Sequence, residues 1–130
     1  VTHAIGRILN ISGDIRYVAL YQRGEVASIA RSGVRSASAA DSDRFEELVV
    51  NPTLLTLVRQ RGDIDCGGMD YVLIRYGNFF QLLIPTAGGH LSVAIEPGAD
   101  PLELQREISA LAASLDLYAA PDQRTGAERR

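Results

Sequence analysis

Residues 69 to 95 decide the fold: Met-Asp-Tyr-Val-Leu-Ile-Arg-Tyr (69–76), Gly-Asn (77–78), Phe-Phe-Gln-Leu-Leu-Ile (79–84), Pro-Thr-Ala-Gly-Gly (85–89) and His-Leu-Ser-Val-Ala-Ile (90–95). Three runs rich in β-branched, aromatic and aliphatic residues are separated by Gly77-Asn78 and by Pro85 with Gly88-Gly89, which are turn signals. Such short connections join antiparallel neighbours, because a parallel pair needs a long crossover. The stretch predicts an antiparallel meander. Its middle run is apolar at both parities, which predicts a central strand covered on both faces.

Upstream, Ile15 to Tyr21 reads as a strand, Arg23-Gly24 as a turn and Glu25 to Arg31 as the returning strand of a hairpin. Ile5, Ile8 and Leu9 stand at helical spacing in a short first helix, His3 to Ile11, which Gly13 ends. Ser32 to Ala40 is small and polar, a loop. A helix is expected near Asp43, since Asp43 and Glu46 have capping-box spacing, with Phe45, Leu48 and Val49 on one face. Pro52 is expected to interrupt it, with Asn51 capping a second piece that Leu54, Leu55, Leu57 and Val58 carry to Gly62. Four apolar residues in five positions exceed one core-facing stripe, so Leu55 is expected to project away from Leu54, Leu57 and Val58. The last helix starts at Asp100-Pro101, again with a capping-box Glu103, and its stripe is Leu104, Ile108, Leu111 and Leu115, leaving Ala112 outside.

The order helix, strand, strand, helix, strand, strand, strand, helix with hairpin connections predicts an α+β fold: a five-stranded antiparallel sheet with helices on its faces. Residues 1–118 are expected to form one domain, and 119–130, without apolar periodicity, a disordered tail. At 130 residues, 46% hydrophobic and 22% charged, the chain is sized and composed for one core. No apolar run suits a membrane span, so no membrane association and a cytoplasmic location are expected. The formal charge of −3 and the lack of a basic half argue against nucleic acid. All 13 basic residues are Arg, which removes lysine-based chemistry.

Candidate chemistry is thin. Asp63, Asp65, Cys66 and Asp70 make the densest polar cluster, but Ile74 stands where a calcium loop needs its last acid, and one Cys with two His is short of a zinc set. The Asp side chains read instead as turn caps, with Gly67-Gly68 supplying positive φ. Cys66 and His90 are a conceivable nucleophile and base without a local signature. The glycines have neither dinucleotide-binding nor phosphate-loop spacing. Tyr71, Tyr76, Phe79 and Phe80 cluster on the first meander hairpin, where cross-strand packing accounts for them. No catalytic residue, metal or cofactor is expected.

The ordered elements resemble the roadblock family of small regulatory modules. The resemblance rests on Ile11-Ser12-Gly13-Asp14-Ile15 leading into Val18-Ala19-Leu20, on the hairpin Arg23-Gly24-Glu25-Val26-Ala27-Ser28, on Tyr71-Val72-Leu73-Ile74-Arg75-Tyr76-Gly77, and on the helix from Asp100-Pro101 to Leu115. The interrupted second helix and the Gly62–Gly68 connector depart from the family's pattern. The resemblance implies a module without catalytic residues, dimerising through its second helix and third strand and acting on or near a small Ras-like GTPase. Carried onto this chain, the dimer surface comprises Leu54, Leu55, Val58, Tyr71, Leu73 and Arg75. The residues support the same surface, because a strand from Met69 to Tyr76 with one internal neighbour leaves an edge needing cover. The reading is therefore a homodimeric module regulating or scaffolding a small GTPase or signalling complex. The alternatives are a small-ligand sensor lined by Tyr71, Phe79 and Phe80, and an enzyme using Cys66.

Overall fold

The computed structural model describes residues 2 to 118, so the expected tail at 119–130 lies outside the described residues. The elements are α1 (Thr2–Leu9), β1 (Ile15–Gln22), β2 (Glu25–Ala30), α2 (Ala40–Phe45), a π turn (Glu46–Val50), α3 (Asn51–Asp65), β3 (Val72–Arg75), β4 (Phe80–Thr86), β5 (Gly89–Ile95) and α4 (Pro101–Ser114). The α+β class and the five-stranded antiparallel sheet hold. The strand order is β2-β1-β5-β4-β3, and β1 pairs with β5 to join the hairpin to the meander. The centre is therefore β5, not the run at 79–84. That run sits one place from the edge, and its double-sided apolarity reports cover on both faces rather than a central position.

One face of the sheet is apolar. Val18, Leu20, Leu82, Ile84, Leu91, Val93 and Ile95 pack with Ile5 and Ile8 of α1 and with Leu104, Ile108 and Ala112 of α4. In α4 the buried residue of the last turn is Ala112 (0% exposed), whereas Leu111 is only half-buried. The expected stripe thus rotates: Leu104, Ile108 and Ala112 step by four, and a small residue lets the helix approach the sheet. Asp100 caps α4 as expected, its Oδ1 accepting from the N–H groups of Leu102 and Glu103 at 3.1 and 3.3 Å.

The second helix departs from expectation at both ends and in the middle. It begins at Ala40 with Ala39 as a cap that makes no side-chain bond, so Asp43 sits inside the first turns and no capping box forms. Asp41 and Asp43 there complement the positive end of the helix dipole instead. Asn51 is no cap either, since it is helical and fully buried. The chain absorbs Pro52 without a break because the preceding turn widens, with Asn51 N–H bonding to Glu46 O five residues back. That gives the proline ring room and tolerates its missing N–H. The helix runs past Gly62 to Asp65, and Gly62 O accepts from both Cys66 N and Gly68 N. Gly67 and Gly68 then reverse the chain at φ +80° and +92°.

Candidate functional site

Alternation along the strands puts Tyr17, Ala19 and Tyr21 of β1, Gln81 and Leu83 of β4, and His90, Ser92 and Ala94 of β5 on the face opposite α1 and α4. The α2–α3 helix covers this face, and the layer between them is largely polar. Glu47, from the π turn, is fully buried. Its Oε1 lies 2.7 Å from His90 Nε2 and accepts from Asn51 Nδ2 at 3.0 Å, while its Oε2 accepts from the Tyr17 hydroxyl at 3.4 Å. Tyr21 stacks on the His90 ring at 5.2 Å between centroids. Gln81 Nε2 donates to Ser92 Oγ nearby. Burial and the charges of Glu47 and Asp43 push the Tyr17 hydroxyl's pKa up, so it stays a donor. Asn51 Oδ1 has no partner among the described residues.

The helix is accordingly turned inside out. Its buried residues are Glu47, Asn51, Leu55 and Gly62, while Phe45, Val49, Leu57 and Ile64 are its exposed apolar ones. Leu55, expected to project outward, is 4% exposed and faces the sheet; Leu57 is 61% and Ile64 75% exposed. The surplus of apolar width is real, but Leu57 and Ile64 carry it. Leu54 and Val58 are half-buried on the flank.

Strand β3 is an edge, as expected, though only four residues long. Tyr71 and Leu73 are half-buried and pack against the core shared with α1 and α4. Arg75 ends the strand in solvent, stacked over the Phe80 ring at 4.9 Å and donating to the carbonyls of Tyr76 and Gly77. Of the six residues expected at an interface, the structure therefore leaves Arg75 exposed and Leu54, Val58, Tyr71 and Leu73 half-buried, and it buries Leu55 against its own sheet.

Beside the N-terminal half of this helix runs an open cleft lined by Ser38, Asp43, Glu46, Val50, Tyr76 and Phe79. Burial, reinforced by the charge of Glu47, pushes the Glu46 carboxyl up to about 7, against the opposing effect of the Tyr76 hydroxyl, which donates to its Oε2 at 3.3 Å. Phe80 and Tyr71 belong to the core, so Tyr76 and Phe79 are the aromatic residues that reach this cleft. Arg16, unremarked in the sequence, lines an adjoining pocket that shares Ser38, Asp43, Glu46 and Phe79 with this cleft: its guanidinium donates to Asn78 O, Arg35 O and Ser36 O at 2.9–3.1 Å and stacks over Phe79. It ties the 32–39 loop to the β3–β4 turn.

Cys66 and His90 do not meet. The thiol is exposed at the end of α3, 3.5 Å from Asp65 Oδ1, whereas His90 is enclosed beneath the helix with Glu47. Asp65 is held by Arg61 at 2.7 Å on the helix surface. Among the described residues no three His, Cys, Asp or Glu side chains gather as a metal site. No described helix is long and apolar enough to cross a membrane.

Glu47 and Arg16 escape the sequence reading, in which Asn51 reads as a cap, because a polar side chain at one helical or strand position carries no periodic signal. The spacing Glu47, Asn51, Leu55 is four and four, but only an apolar stripe marks an inner face in advance.

This architecture is an α+β domain with the roadblock fold. The structure is similar to that of a roadblock/LC7 domain from Streptomyces avermitilis, with a TM-score of 0.69, 18% identity, and coverage of 88% of this chain and 93% of that one. It is also similar to the gliding protein MglB from Thermus thermophilus, with a TM-score of 0.60, 15% identity and coverage of 88% and 87%. A structure of MglB with a tetrameric arrangement matches at a TM-score of 0.58 and 18% identity, with coverage of 86% and 85%. No family model and no curated protein matches the chain.

Proposed function

We propose that this chain is a homodimeric interaction module, joined through the outer side of α3 and the β3 edge, that regulates or scaffolds a small Ras-like GTPase or a signalling complex. The observation that carries the reading is the reversed helix: Glu47 and Asn51 face its own sheet while Leu57 and Ile64 stand exposed, in a domain whose sheet ends in the open edge of β3. Exposed aliphatic side chains next to an open sheet edge favour association, since a second copy covers the leucines and completes the backbone pairing together. Leu57 and Arg75 are the exposed residues of that surface and Leu54 and Val58 its half-buried flank, with Tyr71 and Leu73 lying along the β3 edge. The GTPase part rests on the roadblock resemblance and on the shared fold with MglB.

Light scattering tests the dimer: at micromolar concentration the chain should weigh twice its 14.1 kDa. A monomer refutes it. Affinity capture from the source organism's lysate, with Leu57→Glu as control, tests the partner, and repeated recovery of no GTPase or signalling protein counts against that half.

A further inference from the structure

We propose that Glu47 and His90 form a polar latch that seats the α2–α3 helix on the sheet, and that this helix opens as a unit of its own while the rest of the domain stays folded. The two faces of the sheet are held by different physics. Against α1 and α4 lies a continuous cluster of fully buried aliphatic side chains, and among the described residues it contains none from α2, the π turn or α3. Against the α2–α3 helix lie His90, Gln81, Ser92, Ala19 and Ala94, with Leu55 and Leu83 as the buried larger aliphatics.

Apolar burial stabilises in proportion to area, so the face with α1 and α4 gains much and the opposite face little. Beside Leu55 and Leu83, that face is held by hydrogen bonding, and the buried bonds between helix and strands converge on one carboxylate, with the Tyr76 hydroxyl on Glu46 as a second tie at the cleft. Glu47 gathers His90 from β5, Tyr17 from β1 and Asn51 from its own helix. Asp43 and Glu46 flank it on the helix, and Tyr21 stacks on the imidazole from the sheet. Interactions of this kind are modest while whole and costly when one partner is lost, because the remaining buried group has no water to turn to. A contact with that asymmetry behaves as a catch rather than as glue. The widened turn that carries Glu47 aims its side chain at His90, and wide turns of this sort recur at functional positions. Opening the catch frees the helix whose outer side bears Phe45, Val49, Leu57 and Ile64. Helix and seat lie in one chain, so the latch is independent of the dimer.

Hydrogen–deuterium exchange on the full chain, read by mass spectrometry in low guanidinium, tests it. In the wild type, amides of 47–62 should open through a smaller unfolding event than those of 17–21 and 90–95. Glu47→Gln and His90→Leu should each speed exchange over 47–62 by roughly tenfold to a hundredfold, the range that follows from stranding one buried partner, with the strand amides unchanged. His90→Gln, which restores a donor near Nε2, should recover most of the protection. Helix and strand amides that accelerate together, a helix indifferent to both substitutions, or a variant that fails to fold each overturn the latch, since helix and sheet would then be one unit or held otherwise. Light scattering on the same samples keeps the dimer question separate.

Discussion

Leu55 and Leu57, two residues apart on α3, lie on opposite sides of the helix: the first is sealed against the sheet and the second stands in solvent. About 200° separates residues two apart on an α-helix, so one helix serves a seat and a free surface at once.

The pair predicts two different failures. Leu57→Glu should convert a dimer to a monomer and cost only the stability that association adds, leaving the single chain folded, because its site is wet in the lone domain. Leu55→Glu should unfold or strongly destabilise the domain, by about 3 kcal/mol or more, since a charge would be buried without a partner. Light scattering and urea denaturation on both variants separate the outcomes; a Leu55→Glu protein of wild-type stability contradicts the seat described above.

The last helix offers a similar contrast. Ala112→Asp places a carboxylate where no solvent reaches and should cost about 3 kcal/mol or more. Leu111→Asp, at a half-buried position, should cost less, because the side chain can turn toward water. Urea midpoints in the reverse order would show that the helix is rotated from its described face.

Gly62→Ala tests the turn after α3. Replacing a glycine inside a helix by alanine ordinarily stabilises by up to about 1 kcal/mol. Here the added Cβ would lie 2.8 Å from Gly68 O, a backbone atom that must shift. The clash should reverse the sign, and calorimetry should find Gly62→Ala less stable than the wild type.

Glu46 makes stability depend on pH. Its carboxyl is pushed up to about 7 in the folded chain, by burial first and by the charge of Glu47 second, from an ordinary 4.5. The folded state therefore holds the proton more tightly than the unfolded one. That contribution is fully present below about 4.5 and is lost as pH rises through about 7. Glu46→Gln, neutral throughout, should melt higher than the wild type at pH 8 and about level with it at pH 5. Parallel melting curves for the two proteins across that range would show that Glu46 titrates normally.

Much of the fold was legible in residues 69 to 95 and in the caps and stripes around them. Turn residues and alternating apolar runs act through neighbours in the chain, and so the hairpin, the meander, the Asp100 cap and the edge position of β3 could be read locally. The resemblance to roadblock modules followed from their order, and the folded chain has that fold. Only the tertiary structure decided that β5 is central, that Leu55 turns inward while Leu57 turns out, and that Ala112 rather than Leu111 enters the core. It alone brought Glu47 to His90, 43 residues away, and carried a helix through Pro52 by widening one turn. The physical reason is common to these cases. A helix with apolar residues on several sides, or a strand apolar at both parities, specifies burial but not against what. The choice of covered side belongs to the packing of whole layers, and the pairing of two buried polar side chains exists only once those layers have met.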